Sequence, residues 1–123
     1  MSIRNILVAY NGTEASDRAV KLAAHMARRQ DAHLTGLFAH SLPHTYAQME
    51  TYMTAAAIMA LDESHAEAEA RVTGKFEALV AAEEQGLRTN FLCQQGFPND
   101  VISQFARTYD LTVVAQPRRR TSS

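Results

Sequence analysis

The sequence of 123 residues contains a single cysteine, Cys93. One thiol cannot close an internal disulfide, so the fold must rest on its core, and a reducing compartment, the cytoplasm, is the expected setting. An excess of charge is lacking too, since 12 Lys and Arg stand against 13 Asp and Glu, for a formal net charge of −1. That balance leaves no electrostatic footprint for nucleic acid or an anionic membrane, and neither is expected as a partner. No apolar run approaches the roughly 20 residues of a membrane-spanning helix. The N-terminal Met1-Ser2-Ile3-Arg4-Asn5 lacks the apolar stretch of a signal peptide. Catalytic groupings are equally scarce. The five histidines, at 25, 33, 40, 44 and 65, give no pair at zinc-ligand spacing beside a thiolate or carboxylate motif, so no metal is expected. His40 and His44 fall near a strand end where they could meet a ligand, although a solvated loop histidine is the commoner outcome. Asp62-Glu63 and Glu83-Glu84 read as solvated helix faces, and Cys93 as a small buried apolar residue. With no nucleophile–base pair, no catalytic residue is assigned and the chain is expected not to be an enzyme.

What is present is ordinary material for one α/β domain, with 46% apolar residues. Ile6-Leu7-Val8-Ala9 is a short continuous apolar run, as expected of a strand covered on both faces. Asn11-Gly12 supplies the turn, and Thr13 can cap the following helix, with Glu14 and Asp17 favoured by its N-terminal dipole. Strand, turn and helix begin a strand–helix–strand unit whose turn lies at the carboxyl edge of a parallel sheet, where such folds bind ligands.

The alternation continues along the chain. Ala15, Ala19, Leu22, Ala23, Met26 and Ala27 mark the apolar face of a helix from Glu14 to Arg29, mostly alanine and so able to lie close to a sheet. Leu34 to His40 reads as a second strand, with Gly36 suggesting close approach of another backbone. Ser41 to His44 is a loop. From Tyr46 to Leu61 alanine and methionine favour helix, but the apolar residues wrap around it; the choice is between a helix or two over the sheet edge and a Met-rich partner surface. Asp62 to Gln85 is a long helix with its seam at Val72, Phe76, Leu79 and Val80, ended by Gly86. Leu87 to Gln94 is a third strand, with Phe91 and Leu92 as its buried members, and Gly96-Phe97-Pro98 turns into a short helix faced by Val101, Ile102, Phe105, Ala106 and Tyr109. Leu111 to Ala115 is a fourth strand, followed by Gln116-Pro117 and a basic tail.

These local motifs resemble one family, the universal stress proteins. Ile6 to Ser16 is similar to that family's opening strand and its Asp-Gly-Ser-Glu-x-Ser turn; Gly96 to Ile102 resembles its Gly-x-Pro entry into a helix; Tyr109 to Val114 resembles its fourth strand. The resemblance covers Ile3 to Gln116 and implies an open parallel sheet with helices on both faces, Rossmann-like, in the order 3-2-1-4, with the family's usual fifth strand and final helix absent. A domain at 1–116 with a flexible basic tail at 117–123 is the expected division. The chain then resembles a shortened member or the first half of a tandem protein.

The resemblance also implies a nucleotide site at Tyr10, Asn11, Gly12, Phe38, Ala39 and Gln116. Asn11 stands where adenosine-binding members carry Asp; a neutral amide still accepts a hydrogen bond but loses the charge that strengthens it. The main chain at Phe38 and Ala39 would supply the family's second contact. Gln116 and Pro117 replace the first glycine of the family's phosphate loop, whose amides wrap a triphosphate. The three arginines that follow could attract phosphate but read as a solvated tail. ATP or another adenine nucleotide is therefore expected to bind weakly, if at all, and no cofactor is assigned. Three functions follow in order: a stress-response regulatory module acting by association, an adenine-nucleotide switch whose phosphate loop comes from a second universal stress domain or subunit, and, last, a small hydrolase or transferase. Without a fifth strand, Leu111 to Ala115 would be an uncovered edge, so a homodimer through that edge or the adjoining sheet face is expected.

Overall fold

A computed structural model describes residues 3–40, 54–84 and 86–115. In chain order the elements are β1 (Asn5–Ala9), α1 (Glu14–Gln30), β2 (His33–His40), α2 (Ala55–Glu83), β3 (Thr89–Gln95), α3 (Pro98–Ala106) and β4 (Leu111–Val113). The strands form one sheet in the order β3-β2-β1-β4, parallel at every pairing, as the resemblance implies. In the register, Val8 of β1 lies between Gly36 of β2 and Val113 of β4.

Strand alternation sorts the core into two layers. Ile6, Val8, Tyr10 and Leu34 face α1 and α2, meeting Val20, Ala23 and Ala27 of the first helix and Val72, Phe76 and Val80 of the second. Leu7 and Leu37 face the other way, onto Val101 of α3, with Ile102, Phe105 and Tyr109 around them. The chain steps from β1 to β2 to β3 in one direction and then returns past β1 to β4. The crossovers therefore lie on opposite faces, and the direction of winding switches between β1 and β4.

Local chemistry sets the boundaries. Thr13 caps α1, its side chain accepting from Ser16 N–H, and Asp31 ends the helix at a left-handed φ of 52°. The buried face of α1 is Ser16, Ala19, Val20, Ala23, Ala24 and Ala27. Leu22, expected within that face, is instead 55% exposed. α2 is longer than expected. Thr54 accepts from Ala57 N–H and caps a helix that continues without a break through Leu61-Asp62 to Glu83. Alanine-rich sequence with no Gly or Pro at that junction gives it no reason to stop. The part of the expected Tyr46–Leu61 segment up to Met53, and the loop at 41–44, lie outside the described residues. Phe91 and Leu92 are half-buried, because among the described residues β3 pairs only with β2. β4 keeps three ladder residues, pinned beside β1 by Asp110. Its carboxylate accepts from Arg4 N–H at 2.8 Å and Asn5 N–H at 3.0 Å, while its own N–H donates to Asn5 O.

Candidate functional site

The switch between β1 and β4 leaves a crevice at the carboxyl edge of the sheet. It is a cleft of about 430 Å³, walled by the end of β1 (Ala9, Tyr10, Asn11), the start of α1 (Thr13, Ala15, Ser16) and the end of β2 (Leu37, Ala39). Pro98 and Ile102 of α3, and Val114 and Ala115 just beyond β4, complete it. None of these lining residues is charged.

Of the residues singled out in the sequence, Tyr10, Asn11 and Ala39 meet at this cleft. Tyr10 is 1% exposed, and its hydroxyl donates to Asp17 Oδ1 at 2.6 Å. Burial, and then the Asp17 carboxylate, hold that phenol well above its ordinary range. Its ring also packs at 6.1 Å from Phe76, so the side chain belongs to the core. Gly12 takes a φ of 83°, a conformation open to glycine, and its carbonyl accepts from Lys75 Nζ at 2.9 Å. It is absent from the cleft wall. Phe38 alternates to the other face of β2, where its ring lies 4.8 Å from His40. Gln116 lies outside the described residues.

Asn11 is the centre of a compact polar turn. Its Oδ1 lies 2.7 Å from Thr13 Oγ1, 2.8 Å from Ser16 Oγ and 3.1 Å from Thr13 N–H. Thr13 and Ser16 therefore do more than cap the helix, because they fix the Asn11 amide against the cleft. That role needs the turn folded back on itself, and composition gave no sign of it. Ile102 and Val114 were visible as apolar positions but not as walls of this cleft.

Main-chain polarity at Ala39 follows from the ladder. Leu37 O accepts from Tyr10 N–H on the β1 side, and His40 O accepts from Gly96 N–H on the β3 side. Amide and carbonyl of one residue point to the same side in a parallel strand, and the side alternates. Ala39 thus directs both groups to the β1 side, past the point where β1 has ended.

Elsewhere the described residues offer little chemistry. His40 turns from the cleft and meets Glu69 Oε2 at 3.0 Å. Its neighbour in prospect, His44, is outside the described residues. Cys93 is half-buried, and desolvation pushes its thiol up, away from the reactive thiolate. Among the described residues no group of three or more His, Cys, Asp or Glu could hold a metal ion, and no helix is long and apolar enough to cross a membrane.

The sequence model of the universal stress protein family matches residues 2–123. Among solved structures, universal stress protein UspA from Lactobacillus plantarum is 23% identical, with a TM-score of 0.68 over 99% of this chain and 83% of that chain. A protein from the universal stress protein family from Burkholderia pseudomallei is 16% identical, with a TM-score of 0.62 over 93% of this chain and 82% of that chain. A universal stress protein in complex with cAMP is 18% identical, with a TM-score of 0.63 over 91% of this chain and 71% of that chain. At such identities the likeness to these structures is one of fold. No curated protein matches the sequence.

Proposed function

The chain belongs to the universal stress protein family, and from that premise we propose that it is a stress-response regulatory module that acts by association and binds ATP weakly or not at all. One observation carries this reading: among the described residues, the cleft where a nucleotide would sit has no charged side chain in its wall. A triphosphate brings several negative charges, and the described wall offers no cation to compensate their desolvation. The nearby first turn of α1 makes matters worse, since it carries Glu14 and Asp17. In the sequence, Gln116 and Pro117 stand where the family's nucleotide-binding members have the first loop glycine. A neutral nucleoside fares better, because the Ala39 main chain and the Asn11 side chain offer hydrogen bonds between apolar walls. The module works without catalysis, in the cytoplasm, and as a homodimer.

A second reading is favoured by the cleft itself and by the related fold that holds cAMP. In it the chain is an adenine-nucleotide switch whose phosphate contacts come from a second domain or subunit. Titration calorimetry separates the two. The first expects adenosine to bind at least as well as ATP; a micromolar or tighter dissociation constant for ATP refutes it. Nucleotide released on unfolding the freshly purified protein would point the same way.

A further inference from the structure

We propose that Asn11 is held as a hydrogen-bond donor facing the cleft, so that the site selects ligands that turn a proton-free acceptor toward it, such as a ring nitrogen, a carbonyl oxygen or an ether oxygen. The ligand half of this proposal rests on the nucleoside reading above; the donor half rests on the turn alone.

The orientation follows from the groups that surround the amide. A backbone N–H can only donate, so the Asn11 atom 3.1 Å from Thr13 N–H has to be the oxygen. The same oxygen lies within reach of the Thr13 and Ser16 hydroxyls, at 2.7 and 2.8 Å. Flipping the amide would set donor against donor at Thr13. With Oδ1 taken up, Nδ2 keeps both hydrogens, and no hydrogen bond engages it among the described residues. Asn11 is exposed and lines the cleft.

The remaining described polar side chains in the cleft wall are already engaged. The Tyr10 hydroxyl is bonded to Asp17, while the Thr13 and Ser16 hydroxyls are bonded within the turn. Leu37, Ile102 and Val114 are apolar. Among the described residues the free side-chain contribution is therefore one uncharged donor, beside the main-chain donor and acceptor of Ala39. A ligand that must donate a hydroxyl proton to position 11 finds no acceptor there.

Two measurements on the full chain test this. In ¹⁵N-labelled protein, the Asn11 side-chain amide pair is assigned by its loss in Asn11→Asp. Both protons should exchange with water as fast as those of a free asparagine amide; protection of either one overturns the donor orientation. The second measurement titrates adenosine into the parent and Asn11→Asp chains, with melting curves to show that both are folded. The aspartate keeps one oxygen in the turn and presents the other to the cleft, so affinity should fall about tenfold. Equal or tighter binding to the variant overturns the selection. Adenosine bound by neither chain overturns the nucleoside reading and the ligand half together, and proton exchange still decides the donor half.

Discussion

Replacing Gly36 with alanine puts a methyl group where two aromatic rings already meet. Its Cβ would lie 2.5 Å from Phe91 Cδ1, and 2.6 and 2.8 Å from Phe76 Cε1 and Cζ. The rings have little freedom to yield. Their centroids are 4.8 Å apart, Phe76 is 1% exposed, and its far side meets Tyr10. Overpacking of this kind costs about 1–3 kcal/mol. The smaller entropy of the unfolded alanine chain offsets about 0.4–1 kcal/mol. A net loss of about 1–2 kcal/mol remains, equivalent to a fall in Tm of about 4–10 °C for a domain of this size. Gly74 supplies the control. It is exposed within α2, and a methyl group added there would meet nothing within 4 Å, so Gly74→Ala should gain about 0.5–1 kcal/mol. Urea and thermal melts followed by circular dichroism measure both changes. Phe91→Leu in the Gly36→Ala background should recover part of the loss by removing ring edge. Equal stabilisation by the two alanines would refute the packing argument, and so would the absence of any recovery.

Tyr10→Phe removes the buried hydroxyl that donates to Asp17 and should cost about 1–2 kcal/mol at neutral pH, read from urea midpoints. Burial raises that phenol above its ordinary value of 10.0, so its contribution is present below about pH 10 and is lost as pH climbs toward the folded value. Tyr10→Phe should therefore flatten the alkaline decline in stability, which the same melts at rising pH will show. At Asp110 the sign is opposite, because the Arg4 and Asn5 amides hold its carboxyl below 3.8. Asp110→Asn should be less stable than the parent at neutral pH, with the gap closing as pH falls below about 4; a gap independent of pH would refute the role of the charge. For assembly, light scattering at tens of micromolar should show at least a dimer. Thr112→Lys tests its surface better than a change at Val113, because Val113 packs against the core while Thr112 lies on the other face of the edge strand. It should shift the dimer toward monomer, and a clean monomer for the parent chain would refute the assembly.

The order of elements and the sheet's parallel character were legible because they depend on local signals. Ile6 to Ala9 can only be a buried run, Thr13 is a cap, and Gly96 takes a positive φ at the end of β3, whereas α2 stops at Glu83, capped by an extended Glu84, before the expected Gly86. The placement of the cleft followed from connectivity, since strand–helix–strand units set their turns at the carboxyl edge. Periodicity failed where the pattern was shallow. An α1 stripe made mostly of alanine fixes the helix rotation weakly, and contact with the sheet chose Val20 and Ala24 over Leu22. Gly36 was readable as a place of close approach, but the approaching groups are the rings of Phe76 and Phe91. They come from two other elements, and only the folded chain brings them together. The same holds for the site. Sequence named Asn11 together with the main chain of Ala39 and Phe38; the Phe38 ring lies on the opposite face beside His40, and the alternation of the ladder makes Ala39 the residue whose main chain points to the β1 side. What Asn11 offers a ligand was decided by where its oxygen goes. That depended on Thr13 and Ser16 folding back over the turn, because a hydrogen-bonding group's availability is set by the partners that reach it in space.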